Sequence, residues 1–299
     1  MKKAFIQLHL AVFLAGFTGI LGKLISLNEG LLTWYRMLFT VIALYLLFRF
    51  QGALKRLSFK EALPIGLTGC VIAMHWLFFY GSIKYANATI GVVCFSLTSF
   101  FTAILEPLII RRKFDASELL LSLLTLGGIL LIFHFDTQYR TGIILGIFSS
   151  MFAALFTIFN KKLIVKHDTK TITFYELTVG FLGLTLLMPL YLYLFPPQGS
   201  MLPGGMDIVY LLVLAWFCTV LLYLFQMSAL TKISAFTVNL TFNLEPLYTI
   251  ALAFLLFQEN ENLNPNFYIG LSLIMISVVL QMAKVFYEGR KAKKAAIAA

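Results

Sequence analysis

The segment that decides the fold is LEPLYTIALAFLLFQEN, residues 244–260, which places Glu245 and Pro246 inside a long apolar run. Between Ile233 and Phe257, Glu245 is the only charged residue. An apolar run of about 20 residues is long enough to cross a bilayer as a helix. A carboxylate inside such a helix is costly, faces protein or water, and marks a functional position. The segment therefore predicts a membrane helix that carries a polar site.

The composition of the whole chain is typical of a protein that crosses the membrane many times. Of its 299 residues, 60% are hydrophobic and 12% are charged, whereas a soluble domain is about half apolar and a quarter charged. Ten apolar segments with short connections are long enough to span a bilayer. They lie near residues 4–24, 31–50, 62–82, 86–110, 117–135, 141–160, 172–195, 206–229, 234–258 and 266–286. We therefore predict an all-α membrane protein with ten transmembrane helices.

The basic residues predict how the chain is oriented in the membrane. If the N-terminus is cytoplasmic, most of the 23 lysine and arginine residues fall in cytoplasmic segments, which is the bias found in membrane proteins. This placement also explains the net charge of +10, which therefore does not indicate a nucleic-acid partner. With its short loops, the chain is predicted to lie in a bacterial inner membrane with both termini cytoplasmic.

The two halves of the sequence repeat each other weakly. Ala88 in the fourth segment matches Ala235 in the ninth, 147 residues later, and TWYR at 33–36 matches TFYE at 173–176. The matches keep the same order and nearly the same offset along the chain. Because each half holds five segments, an odd number, the two halves must cross the membrane in opposite directions.

This arrangement predicts two inverted-topology five-helix repeats. We place them at residues 1–136 and 137–287, followed by a basic cytoplasmic tail at 288–299. Inverted repeats are typical of alternating-access transporters, which bind substrate near the membrane midplane between the repeats. The cysteines show no metal-ligand spacing, and the sequence has no ATP-binding loop or enzymatic motif. We therefore expect a transporter without enzymatic activity, cofactor or metal.

The ten segments, Arg36 early in the second one, and LEPLYTIALAFLLFQEN in the ninth resemble the drug/metabolite transporter superfamily, EamA type. The resemblance covers essentially the whole chain. It implies a secondary carrier of small metabolites, often an exporter of amino acids or related compounds, with a central cavity among spans 1, 3, 4, 6, 8 and 9. Glu259 matches the glutamate that closes the family pattern. The first half departs from it, with Arg112 at that position and Thr98–Ser99 in place of a dipeptide that ends in proline.

Two interpretations of Glu245 remain open. The carboxylate could bind a substrate amine or exchange a proton, or it could be a protonated, hydrogen-bonded residue that fixes a kink. Pro246 frees the backbone carbonyl of Phe242 and so favours a bend at this point. The polar neighbours predicted to share the substrate site are Asn239, Thr241 and Asn243.

The third segment carries a second group of candidate substrate ligands. His75, Trp76, Phe79 and Tyr80 form one broad helix face, and aromatic rings with a histidine suit a cationic or amphipathic ligand. Ordinary aromatic packing is the alternative, because the chain has 30 phenylalanines. Further polar candidates, which could instead join helices by hydrogen bonds, are Thr98, Ser99, Tyr223 and Gln226.

Four other residues are predicted to act in gating or structure. Arg36 and Glu176 occupy matching positions near opposite membrane faces. Each could act in a gate, but an anchor whose head group reaches the interface is the favoured interpretation. Gly16 and Gly19 form a stripe of small residues that lets helices approach closely, either to glide or to pack.

Other functions of the same fold also remain open. A channel or a lipid flippase would use ten helices and could share the cavity. In each case we expect a small-molecule substrate or lipid as the ligand and the lipid bilayer as the surroundings. The oligomeric state is predicted to be a monomer or a homodimer.

Overall fold

The computed structural model describes residues 2–132, 139–258 and 265–298, and these residues are almost entirely helical. The helices are α1 Lys2–Leu24, α2 Glu29–Phe50, α3 Phe59–Tyr85, α4 Ala88–Phe95, α5 Leu97–Ile110, α6 Ala116–Ile132, α7 Arg140–Leu163, α8 Thr169–Leu194, α9 Gly205–Ala215, α10 Leu222–Leu230, α11 Ala235–Phe242, α12 Glu245–Phe257 and α13 Pro265–Ala298. A π-helical turn, Trp216–Leu221, joins α9 to α10.

The predicted membrane fold is confirmed. Within the described residues, nine helical segments are long and apolar enough to cross a membrane, and α6 is a shorter apolar helix. Together they match the ten predicted spans. The proposed boundary between residues 136 and 137 lies outside the described residues, as does Glu259.

The fourth and ninth spans are each two short helices, which corrects the prediction of continuous ones. Asn87 caps α4 by accepting a hydrogen bond from the N–H of Ile90, and Ser234 caps α11 in the same way 147 residues later. Each helix then ends after eight residues, at Ser96 in the first half and Asn243 in the second. Because the ninth span breaks here, Thr241 lies in α11 and Glu245 in α12, so the two residues do not share one continuous helix face.

The ends of these two spans also correspond. Arg111 follows α5 with a φ of 59°, and Gln258 follows α12 with a φ of 56°. Both residues are left-handed helix caps, a conformation that non-glycine residues adopt rarely. Their separation is again 147 residues, so the weak sequence repeat corresponds to a repeat of backbone geometry.

Glycines allow close helix crossings in the bundle. In α6, a Cβ atom on Gly128 would lie 2.5 Å from the carbonyl oxygen of Gly270 in α13. In α3, a Cβ atom on Gly69 would overlap the carbonyl oxygen of Glu176 in α8. Such contacts are the usual means by which membrane helices pack, because lipid provides no hydrophobic driving force between them.

Candidate functional site

A central cavity of about 70 Å³ lies between helices of both halves. It is smaller than the roughly 300–1,000 Å³ of typical ligand pockets, so a metabolite can enter only if the surrounding helices or side chains move apart. The candidate residues that line the cavity are Arg36, His75, Trp76, Phe79, Tyr223, Gln226 and Glu245.

Arg36 in α2 is buried, with 2% of its surface exposed. Its Nε donates to the Thr219 hydroxyl at 2.9 Å, Nη1 to the Tyr80 hydroxyl at 2.7 Å, and Nη2 to the Cys218 carbonyl at 3.0 Å. The guanidinium carbon lies 3.9 Å from the centre of the Trp76 ring, a cation–π contact. The prediction that Arg36 reaches the membrane interface is therefore wrong, since its head group points into the protein.

The π-helical turn explains why the Cys218 carbonyl is available to Arg36. In an α-helix this oxygen would accept from the N–H of Leu222, four residues later. Here the N–H of Leu222 instead donates to the carbonyl of Phe217, five residues earlier. Single π turns of this kind are often found at functional sites. This one gives the α2 arginine an acceptor on the facing helix.

Glu245 is the first residue of α12, and 3% of its surface is exposed. The helix break places its carboxylate beside the N-terminal N–H groups of α12, where a negative charge is favoured. Pro246 lies in the first turn, where its missing N–H costs no helical bond. Among the described residues the Glu245 carboxylate has no hydrogen-bond donor and forms no ion pair. This geometry disfavours the interpretation of a hydrogen-bonded structural glutamate.

Aromatic and amide side chains form much of the remaining wall. Tyr223 packs against Trp76 with a centroid distance of 6.2 Å and against Phe156 with one of 5.4 Å. The Tyr223 hydroxyl is buried and forms no hydrogen bond within the described part of the chain. His75 contacts Ser149 of α7 through Nδ1. The cavity thus combines a guanidinium group, a carboxyl group, aromatic faces and neutral polar groups.

Comparison with known proteins identifies the family. The EamA-like transporter family matches residues 2–134 and 140–283, most of the chain. The chain belongs to the EamA-like transporter family. The uncharacterized transporter YetK of Bacillus subtilis (strain 168) is similar, 25% identical over 272 residues, which are 86% of this chain and 80% of YetK. An uncharacterized transporter of Archaeoglobus fulgidus is 25% identical over 224 residues, 71% of this chain and 73% of the relative.

A solved structure supports the fold. The aligned region covers 93% of this EamA-like transporter and 96% of the solved chain, with a TM-score of 0.68 and 14% sequence identity. The solved structure is described only as the crystal structure of a protein. The family and the apolar helices together make the chain a multi-pass membrane transporter for a small-molecule substrate. Membership of a transporter family suggests that it is not an enzyme.

Six candidate substrate residues of this EamA-like transporter lie away from the cavity wall. They are Tyr80, Thr98, Ser99, Asn239, Thr241 and Asn243. Tyr80 bonds to Arg36, while the Thr98 and Thr241 hydroxyls donate to carbonyls of their own span.

The asparagines of α11 join helices. Asn239 donates to the Thr102 hydroxyl in α5 at 2.8 Å and accepts from the Thr157 hydroxyl in α7 at 2.9 Å. Asn243 donates to the Ser99 hydroxyl at 3.2 Å. These contacts support the helix-joining alternative for this group and leave the cavity to the other candidates.

The remaining candidates also pack between helices. Gly16 contacts Tyr248 of α12, and its carbonyl accepts from the Thr249 hydroxyl at 2.8 Å. Gly19 packs against the same threonine. Glu176 is fully buried away from the cavity, and within the described residues neither of its oxygens meets hydrogen-bond geometry. The prediction of an interfacial anchor is therefore wrong for Glu176 as well.

Sequence reasoning missed several positions that the structure makes important. Thr18 of α1 and Thr157 of α7 also line the cavity, and no pattern in the sequence singles them out. Glu106 belongs to a second LEPL sequence at residues 105–108, which is out of register with the one at 244–247 in the repeat. In the structure its carboxylate accepts from the N–H of Phe236 at 3.1 Å and from Arg112 at 3.3 Å, which joins α5 to the start of α11.

Proposed function

We propose that this EamA-like transporter is a secondary carrier that exports small zwitterionic metabolites, amino acids or related compounds, by alternating access. The observation that carries the proposal is that an arginine and a glutamate line one cavity. Arg36 comes from α2 in the first half and Glu245 from α12 in the second. They line the same space without forming an ion pair with each other. Export is the direction that the resemblance implies.

The hydrogen bonds of Arg36 leave room for a substrate carboxylate. A guanidinium has five N–H groups, and three of those of Arg36 are used by Thr219, Tyr80 and Cys218. The two that remain suit a carboxylate, which arginine binds strongly through paired bonds. A substrate ammonium group would correspondingly meet Glu245. Both buried charges are then compensated by one zwitterion, whereas each alone is costly to bury.

The small cavity supports alternating access in particular. The cavity is small and enclosed by helices of both halves, so we infer that its walls separate toward one side and then the other to admit and release an amino acid. We propose that the two five-helix repeats, 1–136 and 137–287, are the units that move. Gly16 of α1 closely contacts Tyr248 of α12. We propose that small residues at such contacts let the helices of the two repeats slide past each other.

We also propose that the protein lies in a bacterial inner membrane with both termini cytoplasmic. The support is the distribution of lysine and arginine along the sequence. Reporter fusions at the C-terminus test this orientation. Activity of a fused periplasmic reporter, such as alkaline phosphatase, would contradict it.

Counterflow in proteoliposomes tests the transport proposal. Purified protein is reconstituted and loaded with unlabelled amino acids, and entry of the labelled compound is followed with and without a pH gradient. Saturable counterflow of a zwitterion is expected, together with its loss in Arg36→Gln. If Glu245→Gln keeps exchange but loses gradient-driven movement, Glu245 also carries the coupling proton. Unsaturable flux would indicate a channel, and competition by phospholipid headgroups would indicate a flippase.

A further inference from the structure

We propose that His75 is a fixed hydrogen-bond acceptor in the substrate site and selects metabolites whose side chain carries an N–H or O–H donor. The inference rests on the proposed function. It adds a third recognition group to the two charges, and it concerns the substrate side chain instead of the ammonium and carboxylate groups that all amino acids share.

The contacts of one ring nitrogen determine the tautomer of His75. Nδ1 lies 3.0 Å from the backbone carbonyl oxygen of Ser149 in α7. A carbonyl oxygen only accepts hydrogen bonds, so Nδ1 must carry the proton. If it did not, its lone pair would point at the lone pairs of that oxygen. A neutral imidazole has a single N–H, and the other nitrogen, Nε2, is then an acceptor.

The Ser149 side chain is consistent with this tautomer. Its hydroxyl lies 2.9 Å from Nδ1 and 3.2 Å from the carbonyl oxygen of His75. The Ser149 hydroxyl can donate its proton to the His75 carbonyl. Its oxygen can at the same time accept from the Nδ1–H group, together with the Ser149 carbonyl. Every atom in the group then has a complementary partner, which keeps the ring in one orientation.

Nε2 is left for a ligand. His75 lines the cavity with 7% of its surface exposed. Within the described residues Nε2 has no hydrogen-bond partner, and it is not among the unpartnered polar atoms that are sealed from solvent. The neighbouring rings, Phe79 at 5.9 Å and Phe95 at 5.3 Å between centroids, offer no competing donor. A second cation beside Arg36 would be repelled in a cavity of low dielectric, so the neutral ring suits the site.

The preference should be visible in pairs of substrates of nearly equal shape. Threonine and valine, serine and alanine, and tyrosine and phenylalanine each differ by one hydroxyl donor. A site built to bond a hydroxyl discriminates against the analogue that lacks it, because a buried polar group then stays unpaired. A site without such a group would favour the apolar member or neither.

The inference is tested by measuring how strongly each of these six amino acids inhibits counterflow of the labelled substrate. In the wild type, the donor-bearing member of at least one pair should compete about tenfold better than its partner. His75→Phe should abolish this difference, while the control Phe78→Leu, on the same helix but stacked on Phe152 and outside the cavity lining, should retain it. Equal competition within every pair would overturn this inference alone. Competition by none of the six would overturn the proposed function and the inference with it.

A second measurement reads the tautomer directly and does not depend on a variant that transports. The full-length protein is labelled with ¹⁵N-histidine in lipid bilayers, and the spectrum of His75→Gln identifies the signal of His75 among the four histidines. A protonated Nδ1 and an unprotonated Nε2 are expected. The opposite tautomer, or a doubly protonated ring, would overturn the inference.

Discussion

The side chain of Arg36 in α2 donates a hydrogen bond of 3.0 Å to the backbone carbonyl of Cys218, in the π-helical turn of the eighth span. The two residues belong to opposite halves of the chain. The bond therefore joins a charge of the central cavity to an irregular backbone turn across the pseudosymmetric bundle. The π-helical turn leaves the carbonyl without the N–H of Leu222, and the guanidinium of Arg36 supplies a donor to it.

The first prediction concerns Arg36→Lys. Lysine keeps the positive charge, but a single ammonium group cannot reproduce the planar set of bonds to Thr219, Tyr80 and Cys218. We expect counterflow to fall by about tenfold or more, since the loss of one charged hydrogen bond costs about 1.5–3 kcal/mol. Arg49→Lys, at an exposed position of the same helix, is the matched control. Equal activity of both variants would show that charge alone suffices at Arg36.

The second prediction compares neighbouring glycines in α6. A Cβ atom on Gly128 would meet the Gly270 backbone at 2.5 Å, whereas one on Gly127 would meet nothing within 4 Å. Gly128→Ala should lower the thermal unfolding midpoint in detergent because α6 and α13 must separate. Gly127→Ala should raise the midpoint or leave it unchanged, since alanine favours a helix by about 1 kcal/mol over glycine. Similar shifts for both variants would argue against this helix crossing.

The third prediction concerns the polar link between α5, α7 and α11. Asn239 bonds to both Thr102 and Thr157 in a fully buried setting. Hydrogen bonds between membrane helices are worth about 0.6 kcal/mol each on average. Asn239→Ala should therefore lower the free energy of unfolding by about 1 kcal/mol. In a double-mutant cycle with Thr157→Val, a coupling energy of zero would contradict the 2.9 Å bond.

The fourth prediction contrasts two buried glutamates. Within the described residues neither carboxylate oxygen of Glu176 meets hydrogen-bond geometry, so Glu176→Met removes a poorly compensated polar group. This change should raise the free energy of unfolding by about 1–3 kcal/mol. Glu106→Met leaves the N–H of Phe236 without its acceptor and removes one of the two carboxylates that Arg112 contacts, Glu118 being the other, so it should be destabilising. A stabilising Glu106→Met would contradict the assignment of Glu106 as a link between helices.

Much of the fold was predictable because hydrophobic length and repeat spacing are simple signals. The sequence offset between Ala88 and Ala235 reappears as two helices that begin and end alike. The break at Asn243 was only partly predictable. Pro246 indicated a bend, but a proline also fits the first turn of a new helix, and only the caps distinguish the two.

The site was harder to predict than the fold. Glu245 stood out because it is a lone charge in an apolar span. For Arg36, closeness to the predicted membrane boundary suggested exposure, whereas Tyr80, Thr219 and Cys218 bury its head group. These partners lie 44 to 183 residues away in sequence. Linear patterns carry no signal for such contacts, and they carry none for the π-helical turn.

Competition by analogues that lack one charge tests the central claim most directly. The wild-type protein is assayed for counterflow of its best amino acid against the methyl ester, which lacks the carboxylate, and the hydroxy acid, which lacks the ammonium group. If Arg36 and Glu245 bind the two ends of one substrate, each analogue should compete at least about tenfold less well. Glu245→Gln should reduce the difference in competition between the amino acid and the hydroxy acid. It should leave the difference between the amino acid and the methyl ester unchanged. Competition by either analogue as strong as that of the amino acid itself would contradict the account.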